Sequence, residues 1–348
     1  MLKKMLIKTL AVYILLIAAI LYFQIDLSAL TERTVDFVLQ REEEQPLPAG
    51  TVTPSTLTES GRTVNIGDTV GMVMQFFGEA ADTFPSEYGF LWYAFHQDYK
   101  HYIQIGMKEQ KGVCAVYTNS PSFEFSGLRV GSTMDEVRMT LGDPLESIQK
   151  GNIIFQLNCG TDGKRETDVF LFRGLFVQLF YDCFKNNTVT AIHIIEEDTE
   201  REFARQYAQG SPELAQSMQK ENFYVTNALR VREGKEPVLW SDSAYTSAVA
   251  HSRDMAENNY FSHTDLGGGS VADRIRSTGL KVSAVAENLA AGGQNGIIMH
   301  ELLMNSEGHR RNILGHYQYL GVGVAFNEEN RPYLTQNYYN PRQLSPLP

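Results

Sequence analysis

Three cysteines in 348 residues are too few for a disulfide-stapled scaffold, and an odd number leaves one thiol over even if one pair closes. Cys114, Cys159 and Cys183 follow no zinc-ligand spacing, and each reads as a small buried hydrophobe. The chain beyond residue 213 has no cysteine at all. Positive charge is also scarce: 30 Lys and Arg stand against 41 Asp and Glu, a net charge of −11. Nucleic-acid affinity needs clustered Lys and Arg that release counterions from phosphate, so this balance excludes nucleic acid as a partner. Long apolar runs are few, and the one near spanning length lies at the start of the chain.

That run extends from Thr9 to Phe23 and follows Met1-Leu2-Lys3-Lys4-Met5-Leu6-Ile7-Lys8. Counted from Met5 it gives about nineteen residues interrupted only by Lys8, close to the roughly 20 needed to cross a bilayer. Lysines before it and acidic Asp26 and Glu32 after it place the N-terminus in the cytoplasm and export the rest. The nearest cleavage site, Leu27-Ser28-Ala29, lacks the first small residue, so residues 1–25 read as an uncleaved signal-anchor. A cleaved secretory signal is the alternative. Residues 26–62, rich in Glu, Pro, Thr, Ser and Gly around Arg41 to Arg62, read as a flexible tether.

What is plentiful is material for cores: 19 Phe and 17 Tyr, in a chain long enough for two domains. Residues 63–196 contain an internal repeat, in which Ile66-Gly67-Asp68-Thr69-x-x-x-Val73-x-x-x-Phe77-Gly78-Glu79 recurs as Val130-Gly131-Ser132-Thr133-x-x-x-Val137-x-x-x-Leu141-Gly142-Asp143. Asp68 or Ser132 is placed to cap a helix whose apolar residues fall four apart and which stops at Gly. β-rich runs follow each copy, and Lys185-Asn186-Asn187 reads as a hairpin turn between two of them. The expectation is a duplicated helix-plus-antiparallel-sheet domain. His96, His101 and His193 lie within aromatic or β-branched runs and read as structural. Phe90, Trp92, Tyr93, Phe95 and Tyr102 read as core, which leaves docking as the domain's expected role.

Residues 197–212 read as a charged linker ending in Gly210-Ser211-Pro212, and residues 213–341 as a second domain. It opens with a helix from Glu213 to Glu233 and another from Asp242 to Asn258, with Asp242 as its cap. Leu320, Val322, Val324 and Phe326 alternate with Gly and Ala and begin a terminal hairpin. Across this region come Asn227-x-x-Arg230, Leu239-Trp240-Ser241, Asp254-Met255-Ala256-Glu257-Asn258, Phe261-Ser262-His263, Ala286-Glu287-Asn288-Leu289, Ser306-x-Gly308-His309-Arg310, Gly321-Val322-Gly323-Val324 and Thr335-Gln336-Asn337. In this order the pieces resemble a bacterial CAP domain, of the SCP-like superfamily shared with cysteine-rich secretory proteins, venom antigen 5 and plant pathogenesis-related proteins. The repeat region resembles the CAP-associated N-terminal domain of Firmicutes. The fold class expected is therefore α+β: a membrane helix, the duplicated domain, and a C-terminal α-β-α sandwich.

The resemblance implies a cleft lined by His263, Glu287 and His309, with Ser306 beside them, that in several family members holds a divalent metal. A zinc-like ion, calcium or magnesium is the cofactor so implied, with His263 and His309 as ligands. Many eukaryotic members carry Trp-x-x-Glu where this chain has Leu303-Met304-Asn305-Ser306, which removes a second carboxylate. Asn288, Ser306, Arg310 and Asn312 read as scaffold, and His251, His300 and His316 match no cleft position. The function expected is a membrane-tethered binding protein whose cleft takes a cation or small apolar ligand and whose repeat domain docks to an envelope component. The alternative is a metal-assisted hydrolase with Glu287 as general base. Ser306 and His309 lack a nucleophile elbow and a third orienting residue, so a serine hydrolase is disfavoured.

Overall fold

β-branched and aromatic runs dominate the first half of the chain, and they form strands buried on both faces. The computed structural model describes residues 55–59, 62–157, 160 and 164–342; the apolar run, most of the tether and Cys159 lie outside them. Among the described residues no helix is long and apolar enough to cross a membrane. The elements run β1 (Ser55–Glu59), β2 (Arg62–Asn65), α1 (Val70–Phe77), β3 (Asp82–Pro85), β4 (Leu91–Phe95), β5 (Ile103–Lys108), β6 (Gly112–Thr118) and α2 (Met134–Leu141). They continue through β7 (Ser147–Lys150), β8 (Ile153–Gln156), β9 (Thr167–Phe172), β10 (Leu175–Asp182), β11 (Thr188–Glu196) and α3 (Glu197–Glu202). The second half holds α4 (Pro212–Arg232), β12 (Leu239–Trp240), α5 (Asp242–Glu257), α6 (Val271–Ser277), β13 (Val282–Ala291), α7 (Gly296–Met304), α8 (Glu307–Ile313), β14 (Tyr319–Phe326) and β15 (Pro332–Pro341).

The seven-stranded sheet has the order β3-β4-β5-β6-β11-β10-β9, and its neighbouring strands run antiparallel. The two similar sequence segments occupy matching places. Gly67 N donates to Val113 O and Val113 N to Asp68 O, while Gly131 N donates to Val189 O and Val189 N to Ser132 O. The helix caps fall one residue later than expected. Thr69 and Thr133 accept from the helix amides, whereas Asp68 and Ser132 accept from Asn65 N and Arg129 N in the preceding turns. Asn186 and Asn187 take the left-handed conformation in the β10–β11 turn, as Asn tolerates.

One face of this sheet carries Ile103, Ile105, Val116, Val177, Leu179, Ile192 and Ile194 under α1 and α2. The other carries Trp92, Tyr102, Tyr117, Phe180 and Ala191, and Val225 and Ala228 of α4 and Ile297 of α7 pack on it. A sheet covered on both sides reads as continuous apolar runs rather than alternation. Around that apolar contact, Tyr224 and Lys220 bond Asp82, Arg232 donates to the carbonyls of Asn119 and Thr190, and Asn305 bonds Cys183 N and Tyr181 O. The described residues thus form one compact unit.

Two stretches differ from expectation. Ser55–Glu59, at the end of the tether 26–62, is a strand paired antiparallel with β2, consistent with its run of Thr around Leu57. Within 197–212, α3 is a helix with Thr199 and Glu200 buried. Glu200 accepts from Lys150 Nζ at 2.5 Å and from Tyr88 OH at 2.6 Å, so this charged stretch is pinned by partners far away in sequence.

The second sheet has the order β12-β14-β15-β13, with β14 and β15 forming the expected hairpin. Leu320, Val322 and Val324 face the core shared with Leu214, Met218 and Leu229 of α4. Gly321 and Gly323 face the other way, where a Cβ on either would collide with the α5 backbone at Tyr245 or Val249. Helices therefore cover both sides of the sheet, an α-β-α sandwich. Ser241, not Asp242, caps α5, accepting from Ala244 N.

Candidate functional site

Strand β13 lies at the sheet edge and brings Glu287 opposite Asn337 and Asn288 opposite Gln336. Successive residues on a strand point to opposite faces, so Glu287 and Asn288 serve different neighbourhoods. Asn288 Nδ2 donates to Gln336 Oε1 at 2.9 Å and to the His309 carbonyl at 3.2 Å. Asn312 Nδ2 donates to Asn288 Oδ1 and to the Glu287 carbonyl. This amide network fixes α8 against β13, in line with the scaffold reading of Asn288 and Asn312.

Glu287 is 6% exposed, and a buried carboxylate needs compensation. His263 Nδ1 lies 2.9 Å from Oε1, and Arg274 Nη2 donates to Oε2 at 2.6 Å. With its amide oriented to satisfy its neighbours, Asn337 also donates to Oε2 at 3.1 Å and accepts from Ala248 N. Arg274 is itself held by the carbonyls of His263 and Gly269 and by Asp265 at 3.7 Å. Helix α6, which presents it, begins with a Ser270–Asp273 capping box.

Arg274 is the residue that sequence reasoning missed. The requirement for a cation beside a buried Glu was available in principle, but nothing in the spacing distinguishes Arg274 from Arg253, Arg276, Arg310 or Arg311. His251, expected to lie outside the cleft, in fact forms its back wall. Its Nε2 donates to the Ser262 carbonyl at 2.9 Å and lies 4.0 Å from Glu287 Oε1. Burial chiefly, and then Arg274, lowers its pKa and keeps the ring neutral. His300 is buried in α7 with Nδ1 3.1 Å from Thr226 Oγ1, a structural position.

The site joins an exposed imidazole to a half-buried one. The His263 side chain is 59% exposed, with Nδ1 committed to Glu287 and Nε2 free of any bond to the described residues. His309, on α8, has its pKa lowered by burial and then by the charge of His263, so the two rings are electrostatic neighbours. Ser306 starts α8 and makes no side-chain cap bond. Arg310 points elsewhere: its Nη1 and Nη2 donate to Asp182 at 3.0 and 2.8 Å, tying the sandwich to the seven-stranded sheet. Leu303 and Met304, in place of a carboxylate-bearing segment, are buried in the core.

With that geometry in view, the family models for CAP-associated N-terminal and for the cysteine-rich secretory protein family, CAP, match residues 66–206 and 223–338. The chain carries a CAP-associated N-terminal domain followed by a CAP domain. It is 27% identical to the membrane protein YlbC of Bacillus subtilis over 296 residues, 80% of this chain and 83% of that one. YkwD of the same organism is 35% identical over 116 residues, 33% of this chain and 45% of that one. Among solved structures, an extracellular SCP-domain protein of Bacillus anthracis superposes with a TM-score of 0.68 at 24% identity, over 81% of this chain and 99% of that one. A cysteine-rich secretory protein of Staphylococcus aureus gives 0.63 at 14% identity, over 79% and 91%. At these identities the two structures support the fold. The CAP domain here comprises α4 to β15, and its cleft residues are those just described.

Proposed function

We propose that this is a membrane-tethered, extracytoplasmic binding protein of a Gram-positive envelope, whose CAP cleft holds a zinc-like divalent cation between His263 and His309. The observation that carries the reading is the Arg274–Glu287–His263 relay. A buried carboxylate on Nδ1 fixes the tautomer and orientation of His263 and leaves Nε2 as the available lone pair, the usual arrangement behind a metal-ligating histidine. Glu287 thus orients a ligand and is not itself one. Among the described residues no group of three or more His, Cys, Asp or Glu is arranged to hold a metal. The ion we infer would take two protein nitrogens, from His263 and His309, its other positions open to water or a ligand oxygen. Bound there, such an ion would polarise that oxygen. Because both Glu287 oxygens are engaged, the hydrolase with Glu287 as free base has less support than binding.

A small apolar ligand beside the cation is the second reading, favoured by Phe261 and Leu266, which flank His263 and are 55% and 66% exposed. The apolar run Thr9–Phe23 and the membrane-protein name of YlbC support tethering, and the extracellular SCP-domain neighbour supports export. We read the matched docking of α1 and α2 as duplication of one unit, which docks to an envelope component.

Calorimetric titration of the full chain with zinc at pH 7.5 tests the cleft. Binding near one equivalent should vanish in the His263→Ala/His309→Ala double variant, whose melting temperature in EDTA should stay near the parent's. Binding should also weaken as pH falls through roughly 6.5 and below, since imidazole ligates only when deprotonated. No zinc binding by the parent, together with an unfolded double variant, would make the pair structural.

A further inference from the structure

The first half of β13 is an unguarded strand edge. Sheet edges are usually blunted by charge, proline or a bulge, yet Ser283-Ala284-Val285-Ala286 has neither charge nor proline. The one irregularity lies between Val282 and Ala284, and from Ala284 onward the register with β15 is regular. Ser283 and Ala284 are exposed, and Val285 and Ala286 are half-buried.

The ladder fixes which peptide groups face outward. Ser241 N donates to the Leu320 carbonyl, so Leu320 turns toward β12 and away from β15. Bonding and non-bonding pairs alternate along antiparallel strands. Leu320 opposite Tyr338 is therefore a non-bonding pair, Gly321 and Asn337 exchange bonds, and Asn337 has none left for Glu287. Glu287 and Val285 thus direct N–H and C=O to the open side of β13, where Asn312 Nδ2 takes the Glu287 carbonyl. The Val285 N–H and C=O and the Glu287 N–H have no hydrogen-bond partner among the described residues outside the ladder.

A donor and an acceptor on one strand residue, followed by a second donor two residues on, match the backbone of an added strand. Helix α8 limits how far that strand can run. Because Asn312 holds the Glu287 carbonyl, an added strand must stop there, beside His263 and the α8 turn that carries His309. A peptide's terminal group therefore falls in the cleft. A carboxylate there would meet the two imidazoles and the cation inferred between them, whereas an ammonium would meet like charge, with Arg274 behind it. With its carboxyl end at Glu287, the peptide runs parallel to β13.

We propose that the open edge of β13 takes up the C-terminal residues of an extended peptide as an added parallel strand, paired at Val285 and ending with its carboxylate in the His263–His309 cleft. The carboxylate end rests on the cation reading of that cleft, and the paired edge does not. The probe is a hexapeptide, fluorescein-Gly-Ser-Thr-Val-Thr-Val with a free carboxylate, followed by anisotropy as full chain in nanodiscs is added at pH 7.5. Empty nanodiscs serve as the blank, and zinc is titrated in parallel. Saturable binding is expected. Val285→Pro should weaken it about tenfold, since it removes an outward N–H and obstructs the edge. Proline is tolerated at an edge position whose N–H takes no part in the ladder, so the variant's melting temperature should stay near the parent's. On the parent, N-methylation of every peptide bond in the probe should abolish binding, which tests the main-chain pairing without altering the protein. A C-terminal amide should bind about fivefold more weakly. Zinc binding without saturable peptide binding overturns strand addition and leaves the cation in place, whereas peptide binding by a chain that takes no zinc upholds strand addition and removes the cation. Equal binding of the N-methylated probe, or equal binding by a folded Val285→Pro, also overturns strand addition. Equal binding of the amide overturns the carboxylate end.

Discussion

The two sheets of this protein solve the same burial problem differently. The CAP sheet is sandwiched by its own helices, with Leu320, Val322 and Val324 under α4 and Gly321 and Gly323 against α5. The seven-stranded sheet has helices of its own on one face only and borrows α4 and α7 of the CAP domain for the other. One domain is therefore nearly self-sufficient, and the other is completed by its neighbour. The helix α4 serves both cores, so the position of the cleft relative to the N-terminal domain is set by packing and not by a tether.

The most severe way to test this asymmetry is to cut between α3 and α4. A fragment from about residue 205 onward should remain folded, although it loses the cover over Val225, Ala228 and Ile297 and the polar bonds to Asp82 and Asp182. The N-terminal fragment should aggregate, because Phe84, Phe90, Trp92, Tyr102 and Tyr117 would form an exposed apolar face far larger than a monomer tolerates. Size-exclusion chromatography of the two fragments decides the matter, and a monodisperse N-terminal fragment would break the comparison.

Next in size is the ion pair across the junction. Arg310 and Asp182 are 14% and 7% exposed, and removing one partner leaves the other charge buried. Arg310→Ala should cost about 3 kcal/mol, measured by denaturant melts. Leucine at both positions should recover much of that loss. If Arg310→Ala is instead within 0.5 kcal/mol of the parent, roughly the range of ordinary surface substitutions, the junction does not depend on this pair.

A smaller effect concerns buried acids. Burial pushes both Glu87, which bonds Asn295, and Glu301, which bonds Tyr117, up to about 7. A carboxyl whose folded pKa is raised stabilises most below its unfolded value near 4.5, and that contribution is lost as pH rises through about 7. His193 and His300, lowered to about 4 and about 3, act oppositely: their contribution is lost as pH falls below 6.5. The two trends offset each other from about 4.5 to 6.5, and only the acid slope remains from 6.5 to 7. Glu301→Gln should therefore raise the melting temperature at pH 8 by several degrees and leave it nearly unchanged at pH 5, a shift of about 1–2 kcal/mol. Equal effects at both pH values would mean that Glu301 carries no buried charge above pH 7.

What could be read from the sequence follows the same division. The β14–β15 hairpin was legible because Leu320, Val322 and Val324 alternate with glycine, and α4 and α5 because their apolar positions recur at helical spacing. The borrowed face was not, since a strand buried on both sides looks the same whichever domain supplies the cover. Aromatics such as Trp92 and Tyr102 were rightly placed in a core, but that core spans the two domains. The caps fell one residue off at Thr69, Thr133 and Ser241 because each has a neighbour with an equally suitable side-chain oxygen. In the cleft, His263 and Glu287 could be named together from the family resemblance, and the structure bonds them. Arg274 and His251 could not, because their roles depend on where α5 and α6 meet the edge of the sheet.

The smallest expected effect separates the cleft from the scaffold around it. Ser306 begins α8 where a serine would normally cap the first turn, at a typical loss of about 1 kcal/mol on change to alanine. Here it makes no side-chain cap bond, in contrast to Ser211 and Ser241, which cap α4 and α5. Ser306→Ala should therefore change stability by less than about 0.5 kcal/mol, while Ser241→Ala costs about 1 kcal/mol. Paired thermal melts of the two variants provide the check. If Ser306→Ala is as costly as Ser241→Ala, the serine belongs to the framework of α8. A silent Ser306→Ala that also weakens zinc or ligand binding at His263 and His309 would place the hydroxyl in the cleft.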